Sequence, residues 1–370
     1  MSVSRRALLR SAVAAVPVVA LAGALPGTAW AAGTQWEDTY KAAAGESFVF
    51  AEMEFDPTGA GWLVGDIGWF PDGMWGPRES SGFAWGWNGT KWTGYGATSF
   101  PDIIRLTAVA AAARNDAWAL GERWDKTAMR MLSIPFHWDG TAWTVRSQGA
   151  SGGELTAVAG SGTNAWAVGR QGVAPYTASM RRWNGSTWTE TALPADVRDK
   201  GATLRAVQVT GPNEVWAVGE YTPVSGGSAK PLVLRWDGTT VTQVASPLGT
   251  ANGYATALQV KGGEVWVAGS KAGGSYAARW NGSSWTVFSP TTAQITSLAL
   301  YGTELRASDS GGKVFRWDGT AWSAASAPRP ATFGTPKLAG GPDGSLWYAG
   351  FGGVDEAHKY DETFIARLRP

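Results

Sequence analysis

The chain has no cysteine. Disulfides, thiolate metal sites, iron–sulfur clusters and lipoprotein attachment are therefore excluded. Histidine is nearly absent too: His137 and His358 are the two present, too few for a multi-histidine metal site. With so few ligands on offer, no cofactor and no metal are expected. Charge of one sign is also lacking. The 31 basic residues offset 30 acidic ones, leaving no basic field to attract a phosphate backbone, so nucleic acid is not expected as the main partner. The apolar run from Ser11 to Leu25 is too short for a comfortable membrane span. Stability must then come from packed apolar area.

What is abundant is glycine, at 50 residues, and tryptophan, at 23. The glycines follow no collagen period and often stand in Asn-Gly and Asp-Gly pairs, which signals many tight turns. So many indoles raise the question of whether they form repeated aromatic binding sites or a scaffold.

Residues 1–31 read as an export signal. Ser4-Arg5-Arg6-Ala7-Leu8-Leu9-Arg10 is basic, the apolar run follows, and Ala29-Trp30-Ala31 is a small-x-small cleavage site. The paired arginines before Leu8-Leu9 resemble a twin-arginine signal, against an ordinary secretory signal that happens to carry them. Cleavage is expected after Ala31 and the product is expected to be secreted. Such a resemblance to actinobacterial secreted proteins is compositional.

Residues 32–370 are self-similar with a period of about fifty residues. Each unit holds a short apolar strand, a Gly/Asn turn, a strand with Trp-Ala-Val-Gly, a variable stretch, a strand ending Arg-Trp, an Asp/Asn-Gly turn and a strand with Trp-Thr. These four strands are called a to d. Strand-b tryptophans fall at Trp62, Trp118, Trp166, Trp216, Trp266 and Trp347, with Arg306 in the sixth unit. Strand-c tryptophans fall at Trp87, Trp138, Trp183, Trp236, Trp280 and Trp317. Four short strands at this period predict an all-β fold, a seven-bladed β-propeller with four-stranded blades. Small residues recur in the innermost strands, as in Leu106-Thr-Ala-Val, which suits crowding round an axis. The last unit runs out at Phe364-Ile365-Ala366-Arg367-Leu368, without an outer strand. Gly33-Thr34-Gln35-Trp36 matches Gly140-Thr141-Ala142-Trp143. Residues 33–40 are therefore expected to pair beside 363–369, closing the ring in blade seven and removing an open edge.

The c–d hairpin, RWNGSSW at Arg279–Trp285, is read as a two-residue type I′ turn with Asn281 and Gly282 at positive φ. In that register Trp280 pairs with Ser283 and Ala278 with Trp285. The two indoles become diagonal neighbours on one face, packed on the next blade. Each indole buries on the order of 200 Å², several kcal/mol by area, so the repeated tryptophans are read as scaffold. Asn88, Asn184 and Asn281 match glycosylation sequons, but Asp139, Asp237 and Asp318 replace them elsewhere, as a turn allows. His137 holds the strand-c position of Arg182, Arg235, Arg279, Arg316 and Arg367, and a repeated position argues for structure over catalysis.

At these residues the chain resembles tectonin-type and kelch-like propellers, in which Trp-x-Val-Gly strands alternate with Arg-Trp-Asp/Asn-Gly-x-x-Trp hairpins. The resemblance covers residues 33–370 and implies propeller architecture. Tectonin-like propellers are often lectins. Kelch-like ones include protein-binding platforms and copper oxidases, whose Cys-Tyr cofactor no cysteine here supplies. No family binding residue is carried over.

Outside the repeat, variation concentrates in the b–c loops, where binding residues usually reside. Trp69, Trp75 and Trp124 fit no repeat position and lie in loops of blades one and two. His358 and Tyr360 lie in the neighbouring loop of blade seven, and Tyr221 in that of blade four. Flat indoles beside polar groups suit sugar rings; the alternative is that Trp69 and Trp75 fold back as a lid on the channel mouth. Asp66, Glu122 and Glu220 each follow the strand-b glycine and form either an acidic rim for hydroxyls or a cation, or merely solvated loop acids. The expected function is a secreted, non-enzymatic, lectin-like propeller that binds a cell-surface or polysaccharide glycan through Asp66, Trp69, Trp75, Glu122, Trp124, Tyr221, His358 and Tyr360. The alternatives are an interaction subunit of a secreted, toxin-like assembly that binds other secreted proteins, and a glycoside hydrolase or lyase with Asp66 and Glu122 as acid and base. No sialidase-type arginine cluster with Asp-box spacing accompanies that pair.

Overall fold

The computed structural model describes residues 36–42, 47–69, 79–127, 129–149, 153–172, 176–198, 200–223, 227–329, 335–352 and 362–370. The expected signal at 1–31 lies outside them. They form seven antiparallel four-stranded sheets, the blades of a β-propeller. Six blades run in simple order a-b-c-d, covering 47–95, 105–145, 154–190, 201–244, 253–288 and 295–325. The seventh takes strands a to c from Lys337–Gly340, Leu346–Gly352 and Glu362–Leu368, and its outer strand from Trp36–Lys41. The expected closure is therefore present: Trp36 stands opposite Leu368 and Lys41 opposite Phe364. Residues 33–35 of the expected strand lie outside those described.

Strands b and c are covered on both faces by neighbouring blades, so their apolar residues run on without alternating. In Glu214–Thr222 the five residues Val215–Gly219 are buried in succession. In the six blades that carry it, the strand-b indole packs toward the c–d hairpin of the next blade. Trp62 lies 5.0 Å from Trp138 and 4.8 Å from Trp143 between ring centroids. Trp118 meets Trp183 and Trp188 at 5.0 and 4.9 Å. Trp266 meets Trp317 at 5.0 Å. Trp347 meets Trp87 at 5.2 Å across the closing seam. Trp85 is buried there as well, against Tyr40 of the outer strand at 4.3 Å. The strand-c cations cap these indoles, as where Arg235 lies 5.5 Å over Trp216. His137 takes the same place, its ring tilted against Trp118 at 4.6 Å and its Nε2 within 2.9 Å of Asp116.

The hairpin differs from the expected turn. Trp280 stands directly opposite Trp285, and Ala278 opposite Val287. The loop is four residues, 281–284, and Asn281 is not among the residues at positive φ, although Gly282 is, at +101°. Asn281 Oδ1 instead accepts hydrogen bonds from the backbone N–H groups of Ser283 and Ser284 and from the Ser283 hydroxyl, at 2.9–3.0 Å. Asp139, Asp237 and Asp318 do the same with Thr141, Thr239 and Thr320. The first loop position is thus selected for a side-chain oxygen that replaces a backbone acceptor, an Asx turn, which Asp supplies as well as Asn. The two indoles still share a face, as direct partners 5.1 Å apart.

Strand a explains the other repeated letters. It carries a β-bulge in six blades, as between Leu155 and Ala157. The bulged threonine binds the next blade: the Thr156 hydroxyl donates to the Leu204 carbonyl at 2.6 Å, and Thr256 to Ile295 at 2.7 Å. At the bulge a strand-a carbonyl closes on strand b. A Cβ on Gly169 would lie 2.0 Å from the Glu154 oxygen, which is why Trp-Ala-Val ends in glycine.

Candidate functional site

Strand b of blade two, Asp116–Asp125, continues well past its glycine and pairs with Arg130–Trp138 to the tip. That extension lifts Trp124 clear of the seams. It stands opposite Met131 and is 42% exposed, the one exposed tryptophan among the described residues. Asp125 Oδ1 accepts the Thr127 N–H at 2.8 Å and turns the chain. Met129 follows at φ +50° and is 70% exposed; a left-handed φ on a side chain of that length is costly and marks a constrained tip. On strand a of blade one, at the same end of the ring, Val49 is also exposed.

The expected acidic rim is a rim of ion pairs. Glu122 is held by Arg105 at 2.6 Å and Glu220 by Arg205 at 2.6 Å, each arginine on strand a of the same blade. In blade three the order reverses, with Glu154 on strand a held by Arg170 on strand b at 2.5 Å. Arg170 then lies 3.9 Å over the Tyr176 ring, and Arg205 5.7 Å over Tyr254. Asp66 is 5% exposed inside strand b of blade one, Gly61–Trp69, and so does not reach the rim. Its burial follows from its register, opposite Val49 and Gly82 within the sheet. Neither acid is an exposed, uncommitted group.

Asp66, Glu122 and Trp124 therefore share adjacent blades, with Glu122 and Trp124 two residues apart on one strand face. Tyr221 is not with them: it is half-buried in blade four, against that blade's core, with the Lys200 ammonium 5.0 Å from its ring. The Trp69 backbone ends strand b of blade one opposite Glu79. The Trp69 side chain, Trp75, His358 and Tyr360 lie outside the described residues.

Sequence reasoning expected a channel but overlooked the polar residues that line it. A cavity of about 690 Å³ runs along the axis between the innermost strands. Glu52 and Glu54, two apart on one strand face, line it with Lys337, Gln208 and Gln259. Glu52 accepts the Val109 N–H at 3.0 Å and Glu54 that of Ala111 at 3.2 Å, so both carboxylates latch blade one to blade two. Gln208 does the same for Val260. Burial pushes Glu52 up to about 7, and burial with the Glu52 charge pushes Glu54 up to about 8. Burial also lowers Lys337, which Glu52 opposes. Acids spaced by two in an innermost strand were the available signal.

No family model matches the chain. No curated protein matches it either. Among solved structures it is similar to YCF48 bound to D1 peptide, at 16% identity over 94% of this chain and 100% of that one, TM-score 0.58. It is similar to the WD40 repeats of RRP9, at 12% identity over 90% and 98%, TM-score 0.58. A GH74 enzyme from Niastella koreensis matches at 18% identity over 87% of this chain and 43% of its own, TM-score 0.51. At such identities the likeness is one of fold, the seven-bladed propeller.

Proposed function

We propose that this propeller is a secreted recognition module that binds a cell-surface or polysaccharide glycan on the b–c loop face of blades seven, one and two. The observation that carries this is Trp124: among the described tryptophans, the others are buried or half-buried in the scaffold, and this one is exposed. An indole presents a flat apolar face to the C–H side of a sugar ring, and Arg123, the Arg105–Glu122 pair and Asp125 beside it offer donors and acceptors to hydroxyls. Trp69 ends strand b of blade one, Trp75, His358 and Tyr360 fall in sequence between strands b and c of blades one and seven, and the expected twin-arginine signal would deliver the module outside the cell. The buried Asp66 and the Arg-held Glu122 lend no support to an acid–base pair.

The test is a glycan array with the full chain and with Trp124→Ala. A saturable signal on a defined glycan, weakened at least tenfold by the substitution with melting unchanged, supports the proposal. Absence of any glycan signal, with stoichiometric capture of a secreted protein instead, refutes it in favour of an interaction platform.

A further inference from the structure

One blade breaks the tryptophan register, and the break lies at the hairpin end of the ring, opposite the b–c loops. In four blades the strand-b indole faces an arginine on strand c: Trp166 and Arg182, Trp216 and Arg235, Trp266 and Arg279, Trp347 and Arg367. The guanidinium lies over the ring, and in three of these blades an acid at or just before the start of strand b takes its charge. Glu214 binds Arg235 at 2.8 Å, Glu264 binds Arg279 at 3.5 Å, and Asp343 binds Arg367. In blade six Arg306 replaces the indole, so Arg306 directly faces Arg316. Glu304 is taken by Arg306 at 2.8 Å rather than by its strand-c counterpart. The strand-b carboxylate thus serves Arg306 and is lost to Arg316. Asp318 acts on Arg316 from the hairpin, but its Oδ1 is already engaged by Thr320 and Ala321.

Two like charges placed directly opposite across a sheet destabilise it. Here the cost is raised by burial, since Arg306 is 7% exposed and its Nε has no hydrogen-bond partner among the described residues. The lost indole also leaves space. A cavity of about 390 Å³ occupies the seam between blades six and seven, lined by Arg306, Arg316, Ser323 and Ser326 over a floor that includes Leu346 and Leu368. Trp36, the outer partner in this seam, turns instead onto the Ser326 carbonyl at 3.3 Å. The result is a pocket with two guanidiniums, two serines and an apolar floor.

We propose that this pocket binds a small oxyanion, a carboxylate, sulfate or phosphate group, bridged between Arg306 and Arg316. Guanidinium forks match the oxygens of such groups, and a bridging anion removes both the like-charge repulsion and the unmet Nε donor. The site is remote from Trp124, so it stands or fails independently of the glycan proposal.

The full chain is titrated by calorimetry with inorganic phosphate, inorganic sulfate, acetate and glucuronate, each against chloride at matched ionic strength. Saturable one-site binding of at least one oxyanion is expected, weakened at least tenfold in Arg316→Gln, a substitution of an exposed side chain that should leave Tm within a few degrees of the parent. Arg306→Trp restores the repeat and is expected to abolish binding and raise Tm. Tightest binding of glucuronate assigns the site to an organic acid resting on the apolar floor. Tightest binding of phosphate or sulfate assigns it to the inorganic ion. Heats equal to chloride for all four anions, or unchanged affinity in Arg316→Gln, overturn the proposal; should Arg306→Trp fail to fold, Arg316→Gln decides.

Discussion

Single residues carry the repeat through specific atoms. The Asx oxygen of the hairpin makes Asn281→Asp nearly neutral, within about 0.5 kcal/mol, whereas Asn281→Ala strands two N–H groups and should cost about 1 kcal/mol in denaturant unfolding. The type I′ expectation failed because Asn-Gly is compatible with two turns, and only the observed pairing of Trp280 with Trp285 separates them. Glu52 and Glu54 set a pH dependence. Their ordinary value of 4.5 is raised to about 7 and about 8 in the folded chain. Between those limits the folded state holds protons that the unfolded state has released, so stability falls as pH rises from about 4.5 through 8. Melting of Glu54→Gln across that range should show a flatter decline than the parent; an identical slope would count against the raised values of these half-buried channel carboxylates.

At the scale of elements, the strand Trp36–Lys41 completes blade seven from the other end of the chain. Deleting residues 32–41 exposes the edge Glu362–Leu368 and removes Tyr40 from Trp85, so the whole domain, not one blade, should melt earlier; an unchanged Tm in a thermal scan would refute closure. The seams hold by indole contacts, and Trp266→Ala, which strips a buried ring from Trp317, should cost about 3–5 kcal/mol. Blade register and closure were legible because they repeat: a tryptophan that recurs in strand b is forced by the same packing each time. The b–c face was legible only as a place. Asp66 and Glu122 look alike in sequence, both following a glycine, yet one is buried by its register and the other is claimed by Arg105, its direct partner on the adjacent strand a. Pairings of that kind are set by cross-strand register, and the channel position of Glu52 and Glu54 by the packing of the innermost strands.

For the whole molecule, the division of labour among its tryptophans is the central claim. Repeat indoles pack the seams wherever strand b carries a tryptophan, in six of the seven blades, and Trp124, which the repeat does not require, is the proposed ligand contact. The most direct measurement places Trp124→Ala beside Trp266→Ala, recording for each the melting temperature and the affinity for the best glycan found for the parent on the array, where the proposal expects one. Trp124→Ala should keep the parental Tm and lose at least tenfold in affinity, while Trp266→Ala should lower Tm and, below its transition, keep the affinity. A Trp124→Ala protein that binds as tightly as the parent, or one that melts as early as Trp266→Ala, would contradict that division.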